Sequence, residues 1–238
     1  MGRLSPSVID GSIAVGLALA AFLLYCLTLA PTVLEADGGE FQFVPWLPGI
    51  AHPTGYPLYV LLGWLWTHLC FVGEVAWRMN LLSAVLAGAT VGIVYAVARH
   101  VLDATFLETP VIARVIAAAL AALLLAVSPT FWSQAVIAEV YALHALFVAG
   151  LLWVGLKTLK VSKTFRVWSG WAGLLAFTLG LSLAHHRTII LLWPALAVFL
   201  WRVYRCQVSS VRCQVSGVSG VGGQRSSVGG RQWLIYVG

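Results

Sequence analysis

Long runs of apolar residues recur along most of this chain and are separated by short polar segments. A helix needs about 20 predominantly apolar residues to cross the hydrocarbon core of a bilayer. We therefore predict an all-α fold, a polytopic membrane helical bundle with about six spans. The predicted spans lie at residues 12–30, 80–98, 113–128, 141–156, 168–184 and 188–203.

One further apolar segment, residues 57–71, is short, rich in aromatic residues and interrupted by Gly63 and His68. These features are more typical of a helix that lies at the membrane interface than of a span. Pro57 suits the first turn of such a helix. We predict that this interfacial helix belongs to a long outer loop, residues 31–79, between the first two spans.

The charged residues predict how the chain is threaded through the membrane. Loops on the cytoplasmic side of membrane proteins carry an excess of lysine and arginine. With a cytoplasmic N-terminus and six spans, the inner side receives Arg99, Arg114, Lys157, Lys160, Lys163, Arg166, Arg202 and Arg205. The outer side receives the basic residues Arg78 and Arg187 and the acids Glu35, Asp37, Glu40, Glu74 and Glu139. A full span at residues 57–71 would instead place the basic residues 157–166 outside.

Composition agrees with a membrane protein, because 61% of the residues are hydrophobic and only 9% are charged. Soluble proteins average about 25% charged residues. The net charge of +6 does not indicate nucleic acid, because the basic residues lie dispersed at the ends of apolar runs and form no patch. The expected partner is the lipid bilayer.

The character of the sequence changes at about residue 204. From there to residue 238 it is rich in Ser, Gly and Val, and it repeats CQVS. Such low-complexity sequence predicts disorder. Its abrupt onset after a span suggests that the chain is truncated or frame-shifted.

The polar segment at residues 31–59 contains the strongest candidates for chemistry. Asp37 and Glu40 stand in the motif ADGGEF, and His52 and Tyr56 follow in the turn HPTGYP. A carboxylate at a partly dry membrane face can act as a general base, and the two glycines permit a tight backbone that brings both acids to one site. The alternative is a solvated acidic loop.

Three further residues on the predicted outer side are candidates for substrate binding. Glu139 precedes a span, where it either orients a sugar hydroxyl or a second catalytic group, or is a helix N-terminal acid favoured by the helix dipole. His186 and Arg187 follow the fifth span, where a guanidinium matches phosphate oxygens, unless it snorkels or pairs with an acid. We predict no metal site at His185 and His186, because adjacent helical residues point in different directions.

Small residues also predict where two spans pack together. Gly88 and Gly92 are separated by three residues in the second span. This small-xxx-small spacing allows the backbones of two membrane helices to approach closely.

In order along the chain, the motifs DGGEF, GIAHPTGYPLY, RMNLLSA, TFWSQAVIAEVYALHAL and LGLSLAHHRT resemble a bacterial family of protein O-mannosyltransferase-like membrane proteins, long classed as a domain of unknown function. The sequence is similar more broadly to the GT-C glycosyltransferases. The resemblance covers about residues 12–203. It implies a GT-C-like transmembrane module at residues 1–203, followed by the tail at residues 204–238.

The resemblance implies an integral glycosyltransferase of the plasma (inner) membrane. Such an enzyme transfers a hexose, here expected to be mannose, from a polyprenyl-phosphate-linked donor to a protein or glycan acceptor at the extracytoplasmic face. On this chain Asp37 would be the general base and Glu40 would bind or orient a substrate. His186 or Arg187 would bind the phosphate. No cofactor is implied beyond the lipid-linked donor, and a requirement for a divalent metal stays open.

Two other interpretations stay open. In a transporter or flippase, Glu139, His144 and the outer acids would line a route for an ion or a substrate. Alternatively, the chain is a non-catalytic fragment of the transferase family.

Overall fold

The computed structural model describes residues 6–160, 165–198 and 201, and its elements in these ranges are helical. The chain divides into two compact units, Met1–Trp193 and Pro194–Gly238. The predicted low-complexity tail, residues 204–238, lies outside the described residues. The elements are α1 (Pro6–Leu27), α2 (Ala36–Phe43), α3 (Pro57–Leu69), α4 (Val75–Thr105), α5 (Val111–Ala126), α6 (Pro129–Ala135), α7 (Val140–Lys160), α8 (Phe165–His185) and a 3-10 helix (Arg187–Leu192).

The described helices confirm an all-α, multi-pass membrane fold. By length and composition, three of them can cross a membrane: Ser7–Leu27, Val75–Thr105 and Val140–Thr158. A fourth crossing is available if α5 and α6, which meet at 65°, form one bent span. The break falls before Pro129, because proline disfavours helical backbone in the residue that precedes it.

The count of six spans stays a prediction. The segments predicted at residues 168–184 and 188–203 coincide with apolar helices that are shorter than a full span, Gly170–His185 and Arg187–Val198. The predicted interfacial segment is helical as α3, which begins at Pro57 and has 13 residues. Its position at the membrane interface also stays a prediction.

Helix α4 packs closely against α1 through the two predicted glycines. A methyl group at Gly88 would lie 2.9 Å from the Ala18 carbonyl oxygen, and one at Gly92 would lie 2.9 Å from the Ala14 carbonyl oxygen. Neither oxygen belongs to a flexible side chain that could move aside. The small-xxx-small prediction is therefore confirmed: these glycines let two helix backbones come together.

Ion pairs join α1, α4 and α5 near the C-terminal end of α4. Arg99 is 8% exposed and pairs with both Asp10 and Asp103. Arg114 binds Asp103 at 2.8 Å, and the Tyr95 hydroxyl donates to Asp10 at 3.1 Å. Because a buried guanidinium needs partners for its charge, these contacts fix the three helices relative to one another at this end.

The glycine contacts lead to a prediction on stability. Replacing Gly88 by alanine should lower the free energy of unfolding by about 1 to 3 kcal/mol, because the added methyl group would overpack against the α1 backbone. Gly150→Ala in α7 is the matched control, since nothing lies within 4 Å of the place that its methyl group would occupy. At that position alanine should stabilise the helix by about 1 kcal/mol relative to glycine. Denaturant titration in detergent micelles measures both. Equal effects at the two positions would contradict the close α1–α4 contact.

Candidate active site

Helix α2 carries the acidic motif and holds both acids on one side. The sequence suggested a tight loop, but the structure places ADGGEF at the start of a regular helix. Asp37 and Glu40 are three residues apart, so they are neighbours on the helix surface. Gly39 is required here, because a methyl group at this position would overlap the Leu34 carbonyl oxygen. The two acids are therefore brought together by helical spacing.

Glu40 binds His52 with both of its carboxylate oxygens. The backbone N–H of His52 donates to Glu40 Oε1 at 2.7 Å, and the ring Nδ1 lies 2.8 Å from Glu40 Oε2. The His52 and Glu40 side chains are 35% and 27% exposed. This pair connects α2 to the irregular segment before α3 and holds the imidazole in one orientation.

The pairing shifts the pKa values of both groups. The hydrogen bond from His52 lowers the pKa of the Glu40 carboxyl. The same bond raises the pKa of the His52 imidazole, although burial opposes the shift, and the charges of Asp37 and Glu139 add to it. Each shift favours the charged form of its own group.

Asp37 completes a compact group with this pair. Asp37, Glu40 and His52 each offer a carboxylate oxygen or ring nitrogen, and these atoms all lie within 4.8 Å of one another. Such spacing would also admit a divalent ion. Hydrogen bonding alone accounts for the short Glu40–His52 contact, and the exposed Asp37 carboxylate is the one that faces solvent.

Glu139 lies at the same end of the bundle, immediately before α7. Its position directly before the first residue of α7 matches the interpretation as a helix N-terminal acid. Burial raises the pKa of Glu139, the nearby Val140 backbone N–H acts to lower it, and the charge of Asp37 raises it further. Glu139 is thus near enough to influence the acidic group, and its contact with a substrate stays a prediction.

A row of aromatic rings continues from His52 to the end of α8. The ring centroid of Tyr56 is 5.6 Å from that of His52 and 5.8 Å from that of His186. Nδ1 of His186 accepts a hydrogen bond from the backbone N–H of Thr188 at the start of the 3-10 helix. The ring of His144 in α7 is 4.9 Å from the ring of His186. The structure therefore brings the predicted residues His52, Tyr56 and His186 into one continuous group.

The two basic residues of the predicted outer side have different environments. Arg187 is exposed, and within the described residues it forms no ion pair, so pairing with Asp37 is not observed. Arg78 instead donates to the carbonyl oxygens of Thr67 and Gly73, just at and after the end of α3. Arg78 is thus a structural residue that satisfies backbone acceptors.

A buried pair of amides joins α2 to α4 and was not predicted from the sequence. Gln42 and Asn80 are 1% and 0% exposed, and Gln42 Nε2 donates to Asn80 Oδ1 at 3.0 Å. Asn80 also accepts from the Ala138 N–H at 2.8 Å and donates to the Ala30 carbonyl at 2.8 Å. The Leu34 N–H donates to Gln42 Oε1 at 2.8 Å. The sequence signal that could have indicated burial is an amide side chain between apolar neighbours, Gln42 in FQF and Asn80 in MNLL.

The chain is similar to known proteins of one family. Residues 37–209 match the family described as "Protein O-mannosyl-transferase TMEM260 N-terminal domain". A Mus musculus protein named Protein O-mannosyl-transferase TMEM260 is 34% identical over 204 residues, which are 86% of this chain and 27% of the relative. A Dictyostelium discoideum protein of the same name is 25% identical over 192 residues, which are 76% of this chain and 22% of the relative. The chain thus spans about a quarter of the length of these relatives. No solved structure gave a significant match.

The Glu40–His52 pair predicts a pH-dependent stability. The lowered pKa of Glu40 contributes stability that is lost as the pH falls below its ordinary value of 4.5. The raised pKa of His52 contributes stability that is fully present below pH 6.5, the ordinary pKa of histidine. This stability is lost as the pH rises through the higher pKa that His52 has in the folded protein. Glu40→Gln should therefore lower the unfolding temperature more at about pH 5.5 than at about pH 8.5. An equal loss at both pH values would exclude a charged pair.

The buried amides predict a large and local loss of stability. Asn80→Leu should lower the free energy of unfolding by on the order of 3 kcal/mol, because it leaves the Ala138 N–H and the Gln42 amide buried without a partner. Thr178→Ala is the control, since it removes only an exposed hydrogen bond within α8. Unfolding of both variants in micelles gives the comparison. A loss no greater than that of the control would show that water replaces the amide.

Proposed function

Because the chain belongs to the family of protein O-mannosyl-transferase TMEM260 N-terminal domains, we propose that it carries the N-terminal module of an integral membrane glycosyltransferase. The proposed enzyme transfers a hexose from a polyprenyl-phosphate-linked donor to a protein or glycan acceptor. We propose mannose as the hexose, because the relatives are named protein O-mannosyl-transferases. We propose the GT-C architecture and a location in the plasma membrane.

The distribution of charge along α4 supports an extracytoplasmic site. Asn80 and Arg99 are separated by 19 positions, which correspond to about 28 Å of helix, close to the thickness of the hydrocarbon core. Asn80 binds Gln42, two residues after Glu40, and the Ala138 N–H, one residue before Glu139, whereas Arg99 pairs with Asp10 and Asp103. A cytoplasmic N-terminus places the arginine end inside, in agreement with the positive-inside rule.

The observation that carries the proposal is the group formed by Asp37, Glu40 and His52, whose polar atoms lie within 4.8 Å of one another. Asp37 is the proposed general base, because its carboxylate is exposed while both oxygens of Glu40 are engaged. It would take the proton of the acceptor hydroxyl as the oxygen attacks the sugar carbon with inversion. General base catalysis contributes typically about 10²- to 10⁴-fold to the rate.

Phosphate binding is assigned to Arg187 with His186. The Arg187 side chain is exposed and has no acid partner among the described residues, so it is available to an anion. His186 joins it to the aromatic row that begins at His52. A lipid phosphate bound there would lie on the acidic group's side of the bundle, with Glu139 placed to contact a sugar or acceptor hydroxyl.

The test is transfer of labelled mannose from a polyprenyl-phosphate donor to peptide or glycan acceptors by the chain in proteoliposomes. Asp37→Asn should lower the turnover number by about 10²-fold or more, because the hydroxyl loses its base. Glu108→Gln is the matched control, as an exposed acid in the connection between α4 and α5. Uptake without a covalent product would instead favour the transporter. Undiminished transfer by Asp37→Asn would disprove the assigned base.

A further inference from the structure

The contacts of Glu40 determine which atom of His52 is available to a substrate. A carboxylate only accepts hydrogen bonds, so the ring nitrogen that faces it must carry a proton. That nitrogen is Nδ1, 2.8 Å from Glu40 Oε2. The neutral imidazole therefore has its proton on Nδ1, and Nε2 has a lone pair.

We infer that His52 is a second catalytic residue, whose Nε2 receives from Asp37 the proton of the acceptor hydroxyl, and that Glu40 is the positioning residue that holds His52 in this tautomer. The inference rests on the proposed transferase function. It reassigns Glu40 from substrate binding to positioning, because both of its carboxylate oxygens bind His52.

The surroundings of His52 suit a group that gains a positive charge. Glu40 of α2 binds it directly, and the negative charges of Asp37 and Glu139 also raise its pKa. Its ring is held between Phe41, at 5.3 Å between centroids, and Tyr56, at 5.6 Å. A carboxylate oxygen of Asp37 lies within 4.8 Å of one of the ring nitrogens of His52, and rotation of the exposed Asp37 side chain or one bridging water molecule would connect this carboxylate to Nε2.

The step balances without any further reactant. A bond forms between the acceptor oxygen and the sugar carbon as the bond from that carbon to the phosphate oxygen breaks, and its electron pair leaves with the lipid phosphate. The hydroxyl proton passes to Asp37 and then to His52 Nε2, which regenerates the Asp37 carboxylate. The resulting imidazolium is stabilised by Glu40 on its Nδ1 side and later releases the proton to water.

Glu40→Gln separates this role from a purely structural one. The amide oxygen of glutamine can still accept from the His52 backbone N–H, whereas its NH₂ group can only donate to the ring. The substitution therefore preserves the shape of the contact and moves the imidazole proton to Nε2. ¹⁵N NMR of histidine-labelled chain in micelles at about pH 8.5 reports this tautomer directly, with the resonance assigned by its loss in His52→Ala.

We expect the Nδ1–H tautomer in the parent chain and the Nε2–H tautomer in Glu40→Gln. In the mannose transfer assay, kcat of Glu40→Gln should fall at least about tenfold with KM nearly unchanged, since general acid–base groups act on the chemical step. His52→Ala should lose about 10²-fold in kcat, and added imidazole should restore part of the loss. This rescue keeps the test decisive if Glu40→Gln folds poorly.

The outcomes separate the two proposals. The transferase proposal stands if the parent chain transfers mannose and Asp37→Asn does not. In that case the role of His52 is wrong if Glu40→Gln or His52→Ala keeps the parent kcat. It is also wrong if imidazole does not rescue His52→Ala. An Nε2–H tautomer in the parent chain would also overturn the inference. If the parent chain transfers no sugar, the proposed function fails and the role of His52 fails with it.

Discussion

The site depends on one buried amide, that of Asn80 near the start of α4. It binds Gln42 of α2, the Ala30 carbonyl after α1 and the Ala138 N–H before α7. Within an apolar bundle each of these groups would be costly without a partner. Because a single side chain satisfies all three, the ends of four helices must meet at that point, and α2 is held across the end of the bundle.

The acidic group follows from this constraint. With α2 fixed through Gln42, its opposite side presents Asp37 and Glu40 one helical turn apart. Glu40 then binds the backbone and ring of His52, which orders the segment leading into α3. The aromatic row continues through Tyr56 to the end of α8. A short polar helix thus organises residues from three separate regions of the chain.

Helix α4 is the element that separates the two ends of the molecule. Gly88 and Gly92 bring it against α1, and Arg99 fixes the far end through Asp10 and Asp103. That end holds buried arginine–aspartate pairs, whereas the group of Asp37, Glu40 and His52 lies at the end where Asn80 binds α2. This arrangement agrees with the proposed topology, in which the arginine end lies inside.

The sequence by itself determined the helical membrane fold, the small-residue packing site at Gly88 and Gly92, and the family, because apolar length, small-residue spacing and ordered motifs are local properties; that α1 is the helix packed against this site came from the structure. It also singled out Asp37 and Glu40 as site candidates, and their roles stay a prediction; it predicted a loop there, where a helix forms. Only the tertiary structure decided that Glu40 binds His52, that Arg78 binds backbone carbonyls, and that Asn80 joins four helix ends. These partners are chosen by packing, because a buried polar group bonds whatever donor or acceptor the assembled helices place within about 3 Å of it.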